Sequence, residues 1–177
     1  KAIPGLAQLA GLIGDPQVRA RGTLGGSLAN NDPSADYPAA ALALKADIVT
    51  ERRSITADDF FLGMFATALQ SDEIITGVRF CTPLLSSYAK FKHPASGYAM
   101  AGVFVAQYPP AGADHGGWRV AVTGVANGVF RWHEAEQALS KGTTTPALQR
   151  DDVIDDVHAP AAYRTHLAML MLVQACQ

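Results

Sequence analysis

Cysteine is nearly absent from this chain of 177 residues. Cys81 and Cys176 stand far apart, with no CxxC or Cys/His spacing around either, so a disulfide framework and a structural zinc site are both excluded as readings, and a reducing, cytoplasmic compartment is the simplest one. Charge is also sparse, at 17% of residues, and the fourteen basic against sixteen acidic residues give a net charge of -2. The basic residues are scattered singly or in pairs, which argues against a nucleic-acid platform. No apolar run approaches the roughly 20 residues that span a bilayer, and no basic stretch followed by an apolar one opens the chain. What is present is 49% hydrophobic residues with 16 Gly and 10 Pro, enough for one ordinary domain or two small ones. The chain begins at Lys1 without an initiator Met and runs straight into an amphipathic pattern, as a fragment of something longer would.

Leu6, Leu9, Ala10 and Ile13 recur at helical spacing after Pro4, which predicts a helix over 4–13 ending at Gly14. From 19 to 38 periodicity vanishes into Gly, Ser, Asn, Asp and Pro, a loop of about 15 residues, and loops that long are usually functional or disordered. Asp36 then offers an N-cap to a second helix that extends to Ala46. Residues 47–50 and 54–56 read as a short hairpin, 57–61 as a helical turn capped by Thr56, and 73–80 (EIITGVRF) as a strand stopped at Pro83. Longer strands follow over 87–92, 98–108 and 118–126, the last two joined by a Pro/Gly loop over 109–117: an antiparallel three-stranded meander. Helices are predicted over 133–139 and 161–175. The change of pattern near 82–86 separates two α+β units, 1–82 and 86–177.

The chemistry concentrates in one loop, Thr23 to Asp36. Adjacent Gly25 and Gly26 allow positive φ and remove two Cβ atoms, so that backbone N–H groups can converge on an anion such as a pyrophosphate. Thr23, Ser27 and Asn30 add neutral donors, and Asp36 adds an acceptor suited to ribityl or ribose hydroxyls. The other reading is a Gly-Gly turn before an ordinary Asp cap. No Gly-Lys-Ser/Thr and no GxGxxG follows, so neither a Walker A loop nor a Rossmann fingerprint is present.

The run DPQVRARGTLGGSLANNDPSADYPA over 15–39 resembles the second FAD-binding motif of the medium, flavin-carrying subunit of molybdenum hydroxylases, a family that includes aerobic carbon monoxide dehydrogenase and xanthine dehydrogenase. The resemblance continues in order through DDFF (58–61), DEII (72–75), KFK (90–92), SGYA (96–99) and YRTHL (163–167). It implies the second half of a two-subdomain FAD-binding fold over 1–82, followed by a carbon-monoxide-dehydrogenase-flavoprotein-like C-terminal domain over 86–177. It implies an oxidoreductase subunit whose FAD accepts electrons from iron-sulfur clusters and passes them to an external acceptor. A large molybdenum-cofactor subunit and a small 2Fe-2S subunit would be its partners in a hetero-oligomer.

Residue by residue, the resemblance has Thr23, Leu24, Gly25, Gly26 and Ser27 line the FAD diphosphate, with Asn30 adding a contact and Asp36 accepting from the cofactor's hydroxyls. Ile75 and Ile13 match apolar residues that cover the cofactor, with plain core packing as the other reading of both. Lys92 matches a lysine whose charge would stabilise the reduced ring, and Tyr98 an aromatic beside it. The family's preceding AGGxSL loop has no counterpart in these residues, so the chain alone is expected to bind FAD weakly or not at all.

The five histidines, His93, His115, His133, His158 and His166, show no metal-ligand spacing. Asp151, Asp152, Asp155 and Asp156 lack an EF-hand pattern and read as a solvated acidic turn. Neither cysteine has a base nearby in sequence, and no GxSxG elbow occurs. Two rivals to the flavin subunit stay open: a stand-alone nucleotide- or anion-binding module, and a non-catalytic assembly subunit.

Overall fold

The computed structural model describes residues 2–109, 117–144 and 146–177. The predicted loop over 109–117 and His115 lie almost wholly outside the described residues. The centre of the molecule is an antiparallel sheet ordered β6-β7-β8-β9, made of β6 (Leu85–Lys92), β7 (Ala99–Gln107), β8 (Trp118–Thr123) and β9 (Phe130–Arg131). The short β9, paired to Ala121 and Val122 of β8, extends the expected three strands to four.

Side chains alternate across a strand, so β7 serves two cores at once. Val103 and Val105, with Val120 and Val122 of β8, face a cluster with Trp132, Leu167, Ala168 and Leu172, which lie on or beside α6 (His133–Ser140) and α7 (Ala161–Ala175). Phe104 and Ala106, with Tyr88 of β6 and Ala121 of β8, face the opposite way, into the core of the N-terminal half. That second core is filled by Leu9 of α1 (Pro4–Leu12), Leu28, Ile48, and α4 (Tyr37–Ala43), whose four alanines let it lie close on the sheet. Burial on both faces explains why β7 reads AMAGVFVAQ, almost unbroken in apolar residues.

A smaller sheet, ordered β2-β1-β5, joins the predicted hairpin of β1 (Asp47–Thr50) and β2 (Ser54–Thr56) to β5 (Ile75–Arg79). The turn α5 (Ala57–Phe60) follows as expected, but the Thr56 hydroxyl donates to Asp59 Oδ2 at 2.7 Å instead of capping the backbone. The hairpin β3 (Phe61–Gly63) and β4 (Ala66–Thr67) hangs beside it. No helix among the described residues is long and apolar enough to cross a membrane.

The stretch over 19–38 differs from the expected irregular loop. It begins within α2 (Pro16–Arg21) and contains α3 (Leu24–Asn30). Asp15 caps α2 by accepting from Val18 N at 2.8 Å, and Thr23 caps α3 by accepting from Gly26 N at 3.0 Å. These caps and the complete burial of Leu28 outweigh the roughly 1 kcal/mol that each helical glycine costs. Asn31, left-handed at φ 45°, ends α3.

Candidate functional site

The C-terminus of α1, the start of α3 and the segment before α4 enclose a groove of about 590 Å³. Its size falls in the range of small-molecule and cofactor sites. Of the residues singled out from sequence, Ile13, Thr23, Gly26, Ser27, Asn30, Asp36 and Tyr98 line it. Leu24 and Gly25 sit at the helix start behind them, and Ile75 packs behind Gly25: a Cβ built there would meet Ile75 at 3.7 Å, an ordinary contact. Lys92 is exposed at the end of β6, outside the lining.

Two arginines that the sequence reading passed over join the groove. Arg19 donates to the carbonyl of Ile13 at 2.7 Å, which closes the turn from α1 to α2. Arg21 lines the same concavity, and its side chain makes no hydrogen bond or ion pair among the described residues. Tyr98 reaches the groove because two turns touch: Gly97, at φ 71°, packs on Gly14, at φ 41°, and a Cβ on Gly97 would lie 3.4 Å from the Gly14 carbonyl oxygen.

The glycine pair acts differently from the expected nest. Gly25 and Gly26 are helical, without positive φ, and the Gly26 amide is taken by Thr23. The anion-attracting feature is the positive end of α3 together with the two guanidinium groups. Glycine at 26 is fixed by the cap, since a Cβ there would sit 2.8 Å from Thr23 Oγ1. Packing within the chain makes no such demand at 25, where a Cβ would meet only Ile75, at 3.7 Å.

Asp36 is not the side-chain cap that its position suggests. Its carboxylate is buried, with Oδ1 accepting from the Tyr88 hydroxyl and Oδ2 from Lys90 Nζ at 2.8 Å. Burial pushes the Asp36 carboxyl up and the Lys90 amine down, and the contact between them opposes both shifts. Burial, then the Asp36 charge, drives the Tyr88 hydroxyl well above its ordinary range. Strand alternation, which sets Tyr88 and Lys90 on one face of β6, was the signal available in the sequence.

These groups fit a dinucleotide. Two cations and a helix start suit a diphosphate, a carboxylate suits hydroxyls, and Ile13 and Tyr98 supply apolar and aromatic surface for a planar ring. Elsewhere, His93 Nε2 lies 3.3 Å from His158 Nδ1, and His133 Nδ1 lies 3.1 Å from Glu136. Among the described residues no group of three or more His, Cys, Asp or Glu is placed to hold a metal. The acidic turn over 151–156 is more than solvated: Asp152 pairs with Arg150, and Asp156 holds the buried Arg164 at 2.8 Å.

A family model described as the FAD binding domain in molybdopterin dehydrogenase matches residues 1–83. The carbon monoxide dehydrogenase medium chain of Hydrogenophaga pseudoflava is 35% identical over 98% of this chain and 66% of its own length. The nicotine 6-hydroxylase medium subunit of Paenarthrobacter nicotinovorans is 33% identical over 97% of this chain and 65% of its own. Among solved structures, carbon monoxide dehydrogenase from Hydrogenophaga pseudoflava lacking the Mo-pyranopterin moiety superimposes with a TM-score of 0.81 at 32% identity, covering 98% of this chain and 66% of that one. The chain thus spans about two thirds of the length of these relatives.

Proposed function

The chain belongs to the family of FAD-binding medium subunits of molybdenum hydroxylases, and from that premise we propose that its groove is one wall of the FAD site of an electron-relaying oxidoreductase subunit. The observation that carries the reading is the groove itself, which gathers the α3 start, Arg19, Arg21, Asp36 and Tyr98 on one concavity. When bound, FAD supplies the redox chemistry, taking electrons from iron-sulfur centres and giving them to an external acceptor.

This chain binds and orients. Arg19, Arg21 and Ser27 donate toward the diphosphate, Leu24 and Gly25 present the helix start, and Asn30 adds a donor. Asp36 would accept from hydroxyls of the linker, and Ile13 and Tyr98 would exclude water, while Ile75 backs Gly25 and Lys92 stands exposed at the end of β6, outside the groove lining. Residues 1–82 would form the FAD subdomain and 86–177 the C-terminal domain, with a molybdenum-cofactor subunit and a 2Fe-2S subunit as partners.

Equilibrium titration of the full-length protein with FAD, ADP and pyrophosphate tests the reading. FAD is expected to bind with a change in flavin absorbance and fluorescence, and Arg21→Ala should weaken it about tenfold, as loss of a charge-assisted bond does. Binding of ADP or pyrophosphate with no response to flavin would replace this reading by that of an anion-binding module.

A further inference from the structure

Lys90 is a buried cation in an apolar sandwich. Its side chain is 0% exposed and that of Asp36 3%. Its ammonium makes two contacts that join separate elements: Asp36 Oδ2 at 2.8 Å, at the entry to α4, and the Leu12 carbonyl at 3.2 Å, at the end of α1. Both elements are groove walls, since Ile13 follows Leu12 and Asp36 itself lines the groove. Helix α1 is stitched to β6 elsewhere by neutral bonds, from Gly5 N to Ser86 Oγ and from Tyr88 N to Gln8 Oε1.

Local structure does not call for a charge here. Asp36 makes no side-chain cap bond, and a neutral amide would accept from Tyr88 as well. Buried ion pairs can often be replaced by apolar residues at no loss of stability. A carboxyl group placed here beside a buried ammonium has lone pairs left over after its two bonds, and Asp36 lines the groove.

We propose that Lys90 is a positioning residue of the cofactor site: it holds Asp36 as a carboxylate that can accept from the ligand's hydroxyls, and it fixes the α1 terminus that brings Ile13 to the same groove. The proposal rests on the flavin reading above. Around Asp36 the charged and titratable groups are Tyr88, Lys90 and the more distant Lys92 from β6, and Tyr37 on α4; Arg19, Arg21 and Asp32 line the rest of the groove.

The test is FAD titration of the full-length protein from about pH 5.5 to about pH 8.5, with thermal unfolding measured in parallel, for wild type, Lys90→Met, Asp36→Asn and the double variant. Wild-type affinity should vary less across this range than that of Lys90→Met. Lys90→Met should bind about tenfold more weakly at the acid end, and the gap should narrow as pH rises and the unpartnered carboxyl ionises. The double variant, which buries no charge but lacks the Lys90–Leu12 bond, should melt about 2–4 °C below wild type and bind FAD at least as weakly as Asp36→Asn does. This variant decides the matter even if Lys90→Met fails to fold. A double variant that binds FAD like wild type would show the pair to be structural only and overturn the proposal, as would wild-type affinity and a flat profile in folded Lys90→Met. Absence of FAD binding by wild type would instead remove the flavin reading, and this proposal with it.

Discussion

Gly102→Ala is the substitution that most directly links the sheet to the groove. Gly102 lies on β7 directly opposite Lys90 of β6 and Thr123 of β8, beneath the buried Tyr88. A methyl at this position would collide with the Tyr88 hydroxyl, and would come within 3.1 Å of Tyr88 Cζ and 2.9 Å of Thr123 Cγ2. Overpacking of this kind costs about 1–3 kcal/mol. Pushing the hydroxyl off the Asp36 carboxylate forfeits a bond to a charged group, about 1.5–3 kcal/mol, while replacing a strand glycine by alanine returns about 0.5–1 kcal/mol. The net loss is about 2–5 kcal/mol, or roughly 5–15 °C in melting temperature for a chain of this size. Circular-dichroism melts of Gly102→Ala, Tyr88→Phe and the pair would measure it. Removing the hydroxyl should recover part of the loss, so the two substitutions should be non-additive. A melting temperature within about 2 °C of wild type, or strict additivity, would refute the reasoning.

Three further outcomes are expected. Glu73 is held at about 2, first by its bonds from Arg53 and then by the Gln70 amide and Thr50. Its folded value lies below its ordinary 4.5, so the stability it contributes is present above 4.5 and lost as pH falls toward 2, and acid melts of Glu73→Gln should be flatter than wild type across that window. Glu136, fully buried on α6, accepts from Val120 N and from Arg131 Nε at 2.9 Å; Glu136→Ala should cost about 3–5 kcal/mol in urea unfolding, and Glu136→Gln clearly less. Asn31 donates to the Gly63 and Ala66 carbonyls at 2.7 and 2.9 Å, so Asn31→Ala should release the β3–β4 hairpin and raise its amide hydrogen exchange while leaving β7 protected.

Periodicity made most elements legible. Helices α1, α6 and α7 and strands β1, β2, β5, β6, β7 and β8 lie close to where apolar spacing, Pro4 and Pro83 point. Helices α2 and α3 were not legible as such, because caps from Asp15 and Thr23 and the burial of Leu28 override the poor helix propensity of a Gly-Gly segment. Arg19 and Arg21 were passed over for a related reason: in a segment read as loop, nothing says which way an arginine faces.

Amino-acid order by itself determined the family motif over 15–39, the long apolar strand over 98–108, and the low charge and cysteine content. Only the tertiary structure decided what Asp36 does. Read locally it is a helix cap; folded, it meets Lys90, 54 residues on, and Tyr88, 52 residues on. That meeting depends on the register of β6 beside β7 and on how closely the alanines of α4 lie on the sheet. A carboxylate's protonation and its remaining lone pairs follow from burial and neighbours, and those exist only once the layers have packed.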